Sequence, residues 1–212
     1  MSEKESISDL AKVYSQVKLD SSVSIGPFSV IGRPSSLSDN NHTHIKHSAQ
    51  INCHVTIYSG ATIGRDTYID DYSRIGADAN LSENVTIVRG ARVGGDCCIS
   101  KNVVIGGGIG ERVTVGENSQ LLGIVAHRHT DPTKGWNEDI DRDPAPIISH
   151  DVFAGIGSKI IGDIEVGNNT YITANAIVTE NVPPFSIVHG VNNIKPYSEW
   201  DGELSDSPLF HE

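Results

Sequence analysis

Within a chain made mostly of small and aliphatic residues, the run Ala126–Pro132, AHRHTDP, sets His127, His129 and Asp131 at alternate positions, with Trp136, Glu138 and Asp139 close behind. A neutral imidazole, with an ordinary pKa near 6.5, suits the removal of a proton from a hydroxyl or amine at neutral pH. His127 is therefore the first candidate for a general base. His129 is the second, either in that role or orienting an acceptor or the first imidazole, and Asp131 could fix a ring tautomer. Residues 128–146 carry Asp131, Glu138, Asp139, Asp141 and Asp143 against Arg128, Lys134 and Arg142. Carboxylates bind hydroxyl and ammonium groups, and an indole offers a flat apolar face to a sugar ring or a cation. Trp136, Glu138 and Asp139 are thus candidate acceptor contacts, for a polyhydroxylated or amino-sugar-like compound. The plain alternative is a solvated loop whose charges serve only solubility.

These residues must be positioned by something regular, and the regularity is a step of six. From Ile45, every sixth residue to Ile105 is a branched aliphatic: Ile51, Ile57, Ile63, Ile69, Ile75, Leu81, Ile87, Val93 and Ile99. Four places after each stands a small residue, from Ala49 and Val55 through Ala91, Cys97 and Val103. The same register runs through Val13, Leu19, Ile25 and Ile31, and returns at Ile109, Val115 and Leu121 and from Ile148 to Val178. A period of six fits neither a helix nor an alternating strand, but fits a short strand and a corner, repeated. Three such faces make a coil, and stacked coils form a parallel β-helix of about eight turns around a column of Ile and Val. Gly, Asn and Asp are frequent at the corners, where the backbone needs unusual angles.

The period breaks in three places: between Ile31 and Ile45, at Ile105–Ile109 (IGGGIG), and after Leu121. At the second break either two residues are lost or four gained. At the third, six steps beyond Leu121 lead to His127, so an imidazole takes a place that asks for an aliphatic. The expected organisation is an N-terminal segment over 1–12, a β-helix domain over 13–190 with insertions at 37–44 and 128–147, and a C-terminal tail over 191–212. Insertions in solenoids map to loops and often to binding faces.

Repeats such as IGRDTY, IGADAN, VGGDCC and VGENSQ resemble those of the hexapeptide-repeat acyltransferases, a resemblance spanning about residues 13–195. It implies an all-β fold, a left-handed parallel β-helix, and an acetyl-CoA-dependent transfer to a hydroxyl or amine. AHRHTDP followed by APIISHDVFAGIGSK is similar to the family segment that holds the catalytic histidine. SKIIGDIEVGNNTYITANAIVTENVPPFSIVHGV resembles the closing coils of serine acetyltransferases and sugar O-acetyltransferases. In that family these coils form the acetyl-CoA groove, which here implies Phe153, Ala154, Gly155, Gly157, Ser158, Thr173, Ala174 and Ala176, with Lys195 near the nucleotide phosphates. A bulky residue at Gly155 should then block the groove and spare the coil. Ala145 stands where serine acetyltransferases carry a histidine, which argues against serine as acceptor. The family also implies a homotrimer with active sites between subunits.

A second class on the same fold is a zinc-dependent carbonic anhydrase, which needs three histidines on one tetrahedral site. HTHIKHSAQINCH supplies His42, His44, His47 and His54, but on an insertion and on different repeats, so no metal is expected. A non-catalytic β-helix scaffold is the third reading, and leaves His127 without a task. A net charge of −11 argues against nucleic acid as partner. No apolar run approaches a membrane span and no signal peptide opens the chain, so no membrane partner and a cytoplasmic setting are expected. Three cysteines, Cys97 and Cys98 adjacent, suit reduced thiols better than disulfides.

Overall fold

The computed structural model describes residues 6–36, 42–127 and 144–199. Strands of two to four residues stack in parallel into three sheets of eleven, nine and eight strands, the three faces of a prism. The chain visits one strand of each face per turn, so Ile51, Ile69, Ile87, Ile105 and Leu121 sit one above another on the first face. The fold is the all-β, left-handed parallel β-helix, in about nine turns. The turn beyond the expected eight begins early. Ser6–Ile7 already pairs with Ser24–Ile25, because Ile7 lies six residues before Val13 and continues the register. At the other end, Asn193–Pro196 turns back antiparallel on Ser186–His189 and covers what would be an open strand edge. Thr43–Ile45 and Ile147–Ile148 are strands of the prism, so the two insertions close just before them.

One aliphatic residue per face points inward, and those of the central turns are at most 3% exposed. Each such side chain contributes about 1.5–3 kcal/mol by leaving water. The small residue two places before it completes the layer. Two polar residues in this row are satisfied locally: Thr67 and Ser73 donate to the carbonyls of Ser82 and Val88, both at 3.2 Å. Cys97 lies in the same inward row, and burial pushes its thiol up to about 12. The third-to-first corner carries residues in the left-handed region, chiefly Ser, Asp and Asn, from Ser22 to Asn169. There Asn84, Asn102 and Asn118 form a ladder of side-chain amide bonds of 2.9 Å each.

Two turns are cut short at the first-to-second corner. Ile109 pairs with Val93, so the step from Ile105 is four and two residues have been lost. The next turn repeats this, since Val125 pairs with Ile109 and follows Leu121 by four. The reading that placed His127 on the aliphatic register is thereby corrected: Val125 fills that position, and His127 lies two residues past it. Gly107 and Gly123 make the shortening possible. A Cβ on Gly107 would overlap the Gly123 carbonyl oxygen, so the two coils touch backbone to backbone.

Candidate functional site

His127 follows the strand Ile124–Ala126 of the second face, at the edge where the chain turns toward the third. Its position is fixed by the pairing of Ala126 with Ile161 and by a bond of 3.1 Å from Gly162 N to the Ala126 carbonyl. The ring is half-buried, and its Nδ1 is buried without a hydrogen-bond partner among the described residues. Such an atom costs free energy unless something completes it. His129, Asp131, Trp136, Glu138 and Asp139 lie outside the described residues. Ala145, just before the returning strand, packs against the core.

The residues assigned to the coenzyme groove occupy two successive first-to-second corners, but they do not all face outward. Phe153 is half-exposed on the first face with its ring 5.4 Å from that of Tyr171. Ala154 and Ala176 point into the core at 1% and 0% exposure, and Ser158 is also fully buried, its Oγ unpartnered among the described residues. Their side chains cannot line a surface groove. Gly155 is buried as well: a Cβ there would stand 2.7 Å from Ala174 N. The expectation that a bulky residue at Gly155 spares the coil is therefore wrong, because the clash is with backbone of the next turn. Gly157, at φ 74°, forms the turn itself against Asn175 of the next coil, while Thr173 and the exposed Ala174 lie against Gly155. Lys195 pairs with Ile187, which continues the outward row Phe153, Tyr171 on the first face.

The candidate groove and His127 thus stand at opposite edges of the second face. Between them run the outward positions Arg74, Arg92, Gly108, Ile124 and Lys159. The second histidine group is dispersed. His44 Nε2 meets Asp20 Oδ1 at 2.9 Å, His47 Nδ1 meets Ser21 Oγ at 2.9 Å, and His54 is stacked between Phe28 and Tyr72. Among the described residues no three His, Cys, Asp or Glu side chains are grouped to hold a metal ion. The stack Phe28–His54–Tyr72 was not singled out from sequence. Its signal was there: 54 to 72 is one coil, and 28 to 54 is one coil plus the eight-residue excess of the first insertion.

Fold and register together define a β-helix of the hexapeptide-repeat kind, and the chain is similar to hexapeptide-repeat acyltransferases in both. It is 32% identical over 139 residues to the serine acetyltransferase of Mycobacterium tuberculosis, covering 65% of this chain and 43% of that one. To the serine acetyltransferase of Buchnera aphidicola from Schizaphis graminum it is 35% identical over 79 residues, 37% of this chain and 30% of that one. The chain therefore spans less than half the length of these relatives. The crystal structure of the Arabidopsis UDP-N-acetylglucosamine acyltransferase superposes with a TM-score of 0.56 at 11% identity, covering 90% of this chain and 73% of that one, a likeness of fold. No family model matches the sequence. Among the described residues no helix is long and apolar enough to cross a membrane.

Proposed function

We propose that the chain is an acyltransferase that moves an acetyl group from acetyl-CoA to a hydroxyl or amine of a small polar acceptor, of a sugar or amino-sugar kind. The observation that carries this reading is His127: an imidazole whose Nδ1 has no partner among the described residues, held at the rim of a rigid prism where an acidic, Trp-bearing segment departs. The similarity to serine acetyltransferases supports it, as does the fold. In the reaction, a neutral His127 takes the proton from the acceptor as its oxygen or nitrogen attacks the thioester carbonyl. The carbon–sulfur bond then breaks and coenzyme A leaves as the thiol. His129 is the alternative base, and Asp131 the candidate for holding the tautomer.

Phe153, Gly157, Thr173 and Ala174 offer the outer surface for pantetheine, through backbone amides and small side chains, with Lys195 as the phosphate contact. Because this corner and His127 occupy opposite edges of the second face, a homotrimer would complete the site by setting one copy's histidine against its neighbour's groove. Trp136, Glu138 and Asp139 hold the acceptor. The test is thiol release from acetyl-CoA against panels of sugars, amino sugars, amino acids and aminated antibiotics. A sugar or amino sugar is expected to be turned over, and Trp136→Ala to raise its KM several-fold with the KM of acetyl-CoA unchanged. Release with no acceptor in any panel would count against the reading.

A further inference from the structure

The first-to-second corner above the shortened turns carries a column of rings that ends on an open face. Phe28 stacks on His54 at 5.0 Å and 18°, and His54 on Tyr72 at 4.9 Å and 6°, the spacing of successive coils. Phe28 and Tyr72 hold this place at φ 61° and 62°, a left-handed backbone that the other corners give mostly to Asn, Asp, Ser or Gly. A bulky residue there is an outlier, and such strain collects where a side chain has a task. Below Tyr72 the column stops. The next corner residue is Gly90, where a Cβ would have no atom within 4 Å, and the two turns after that are each two residues shorter at this corner. Tyr72 is 63% exposed, with one ring face covered by His54 and no ring stacked on the other among the described residues.

Two residues past Gly90, on the adjoining second face, stands Arg92, paired in register with Arg74. Like charges directly opposite destabilise a sheet. Neither guanidinium has an ion pair among the described residues, and Arg74 instead lies over the Tyr58 ring at 4.8 Å, with Arg33 on the same ring at 5.4 Å. In a chain of net charge −11, two adjacent uncompensated arginines are not a by-product of general basicity. Arg89, on the corner itself, is held by Asp71 at 3.3 Å.

We propose that this corner binds a nucleoside diphosphate moiety, the base on the free face of Tyr72 above Gly90 and the phosphates against Arg92 and Arg74. Ring stacking accepts any base, and guanidinium forks match phosphate oxygens in pairs. The same chemistry could come from a nucleotide-activated small molecule or from the nucleotide half of coenzyme A. The site stands apart from the acyl-transfer reading, since its test is binding rather than turnover.

The experiment is calorimetric titration of the full chain with UDP, GDP, uridine, inorganic pyrophosphate and coenzyme A. UDP or GDP is expected to bind, with uridine and pyrophosphate at least about tenfold weaker because each makes half of the contacts. Tyr72→Ala and Arg92→Ala should each weaken the diphosphate by about tenfold or more, and Tyr72→Phe should retain it. Both side chains are exposed, so an unchanged melting temperature is expected for the variants. UDP affinity unaffected by saturating coenzyme A assigns the site to a nucleotide-activated compound. Competition, with Tyr72→Ala weakening coenzyme A equally, assigns it to the coenzyme and displaces the Lys195 phosphate contact proposed above. No binding of UDP, GDP or coenzyme A, or binding indifferent to both alanine variants, would overturn the proposal.

Discussion

Two corners of the same prism use the same backbone geometry to opposite ends. At the third-to-first corner every step between described aliphatic positions is six, and the polar groups satisfy one another. Asn84, Asn102 and Asn118 bond in series, Arg65 meets Glu83 at 2.6 Å, and Lys101 meets Glu117 at 3.1 Å. The Arg65 guanidinium, by hydrogen bond and charge, holds the Glu83 carboxyl below its ordinary range. The first-to-second corner instead stacks three rings, stops at Gly90, and then loses two residues from each of two turns. The second face that it borders carries Arg74 and Arg92 and, at its far edge, His127; among the described residues the two arginines have no ion pair and the His127 Nδ1 has no partner. A regular corner consumes its own hydrogen-bonding capacity and serves as scaffold. Where the period is broken, capacity is left over for a ligand.

Substitutions that separate scaffold from surface sharpen this contrast. The largest effect is expected at the shortened turns, where two neighbouring glycines should behave differently. Gly107→Ala drives a methyl into the Gly123 carbonyl and should cost roughly 3 kcal/mol, read as a drop in the denaturation midpoint. Gly108→Ala meets no atom within 4 Å and should stay within about 0.5 kcal/mol of the parent. Equal effects would mean that the coils are not packed through Gly107. A smaller change is expected in the regular corner: Asn102→Ala breaks two exposed amide bonds and should cost about 1 kcal/mol, with turnover and nucleotide binding unchanged. Smallest is Lys195→Ala, which should weaken coenzyme A about threefold at low salt, the difference shrinking as salt rises.

The core was legible because its rule is strict. An inward aliphatic every six residues survives any corner chemistry, so Ile45 to Ile105 could be placed face by face from sequence. The failure after Leu121 was one of phase. Stepping six from Leu121 lands on His127, whereas the structure steps four to Val125, as it does from Ile105 to Ile109. The clue was a glycine two residues before each aliphatic, Gly107 and Gly123, in the place where neighbouring coils carry Ala91 and Ser158. The groove was legible only as a stretch of chain. Small residues mark both inward and outward positions of a coil, and only the packing shows that Ala154, Ser158 and Ala176 face the core while Ala174 faces solvent. The ring column was hidden differently, because the first insertion shifts Phe28 out of the eighteen-residue spacing that links His54 to Tyr72.

The most direct measurement is acetyl transfer by His127→Ala, followed as thiol release with the acceptor that the parent turns over, alongside the affinity of each protein for coenzyme A. Loss of the proton acceptor should lower turnover about a hundredfold or more and leave coenzyme affinity unchanged, since the imidazole acts on the acceptor's proton. An inactive His129→Ala beside an active His127→Ala would exchange the two roles. Parental turnover in both variants would contradict general-base catalysis at this rim, and with it the account of why a histidine follows the strand there.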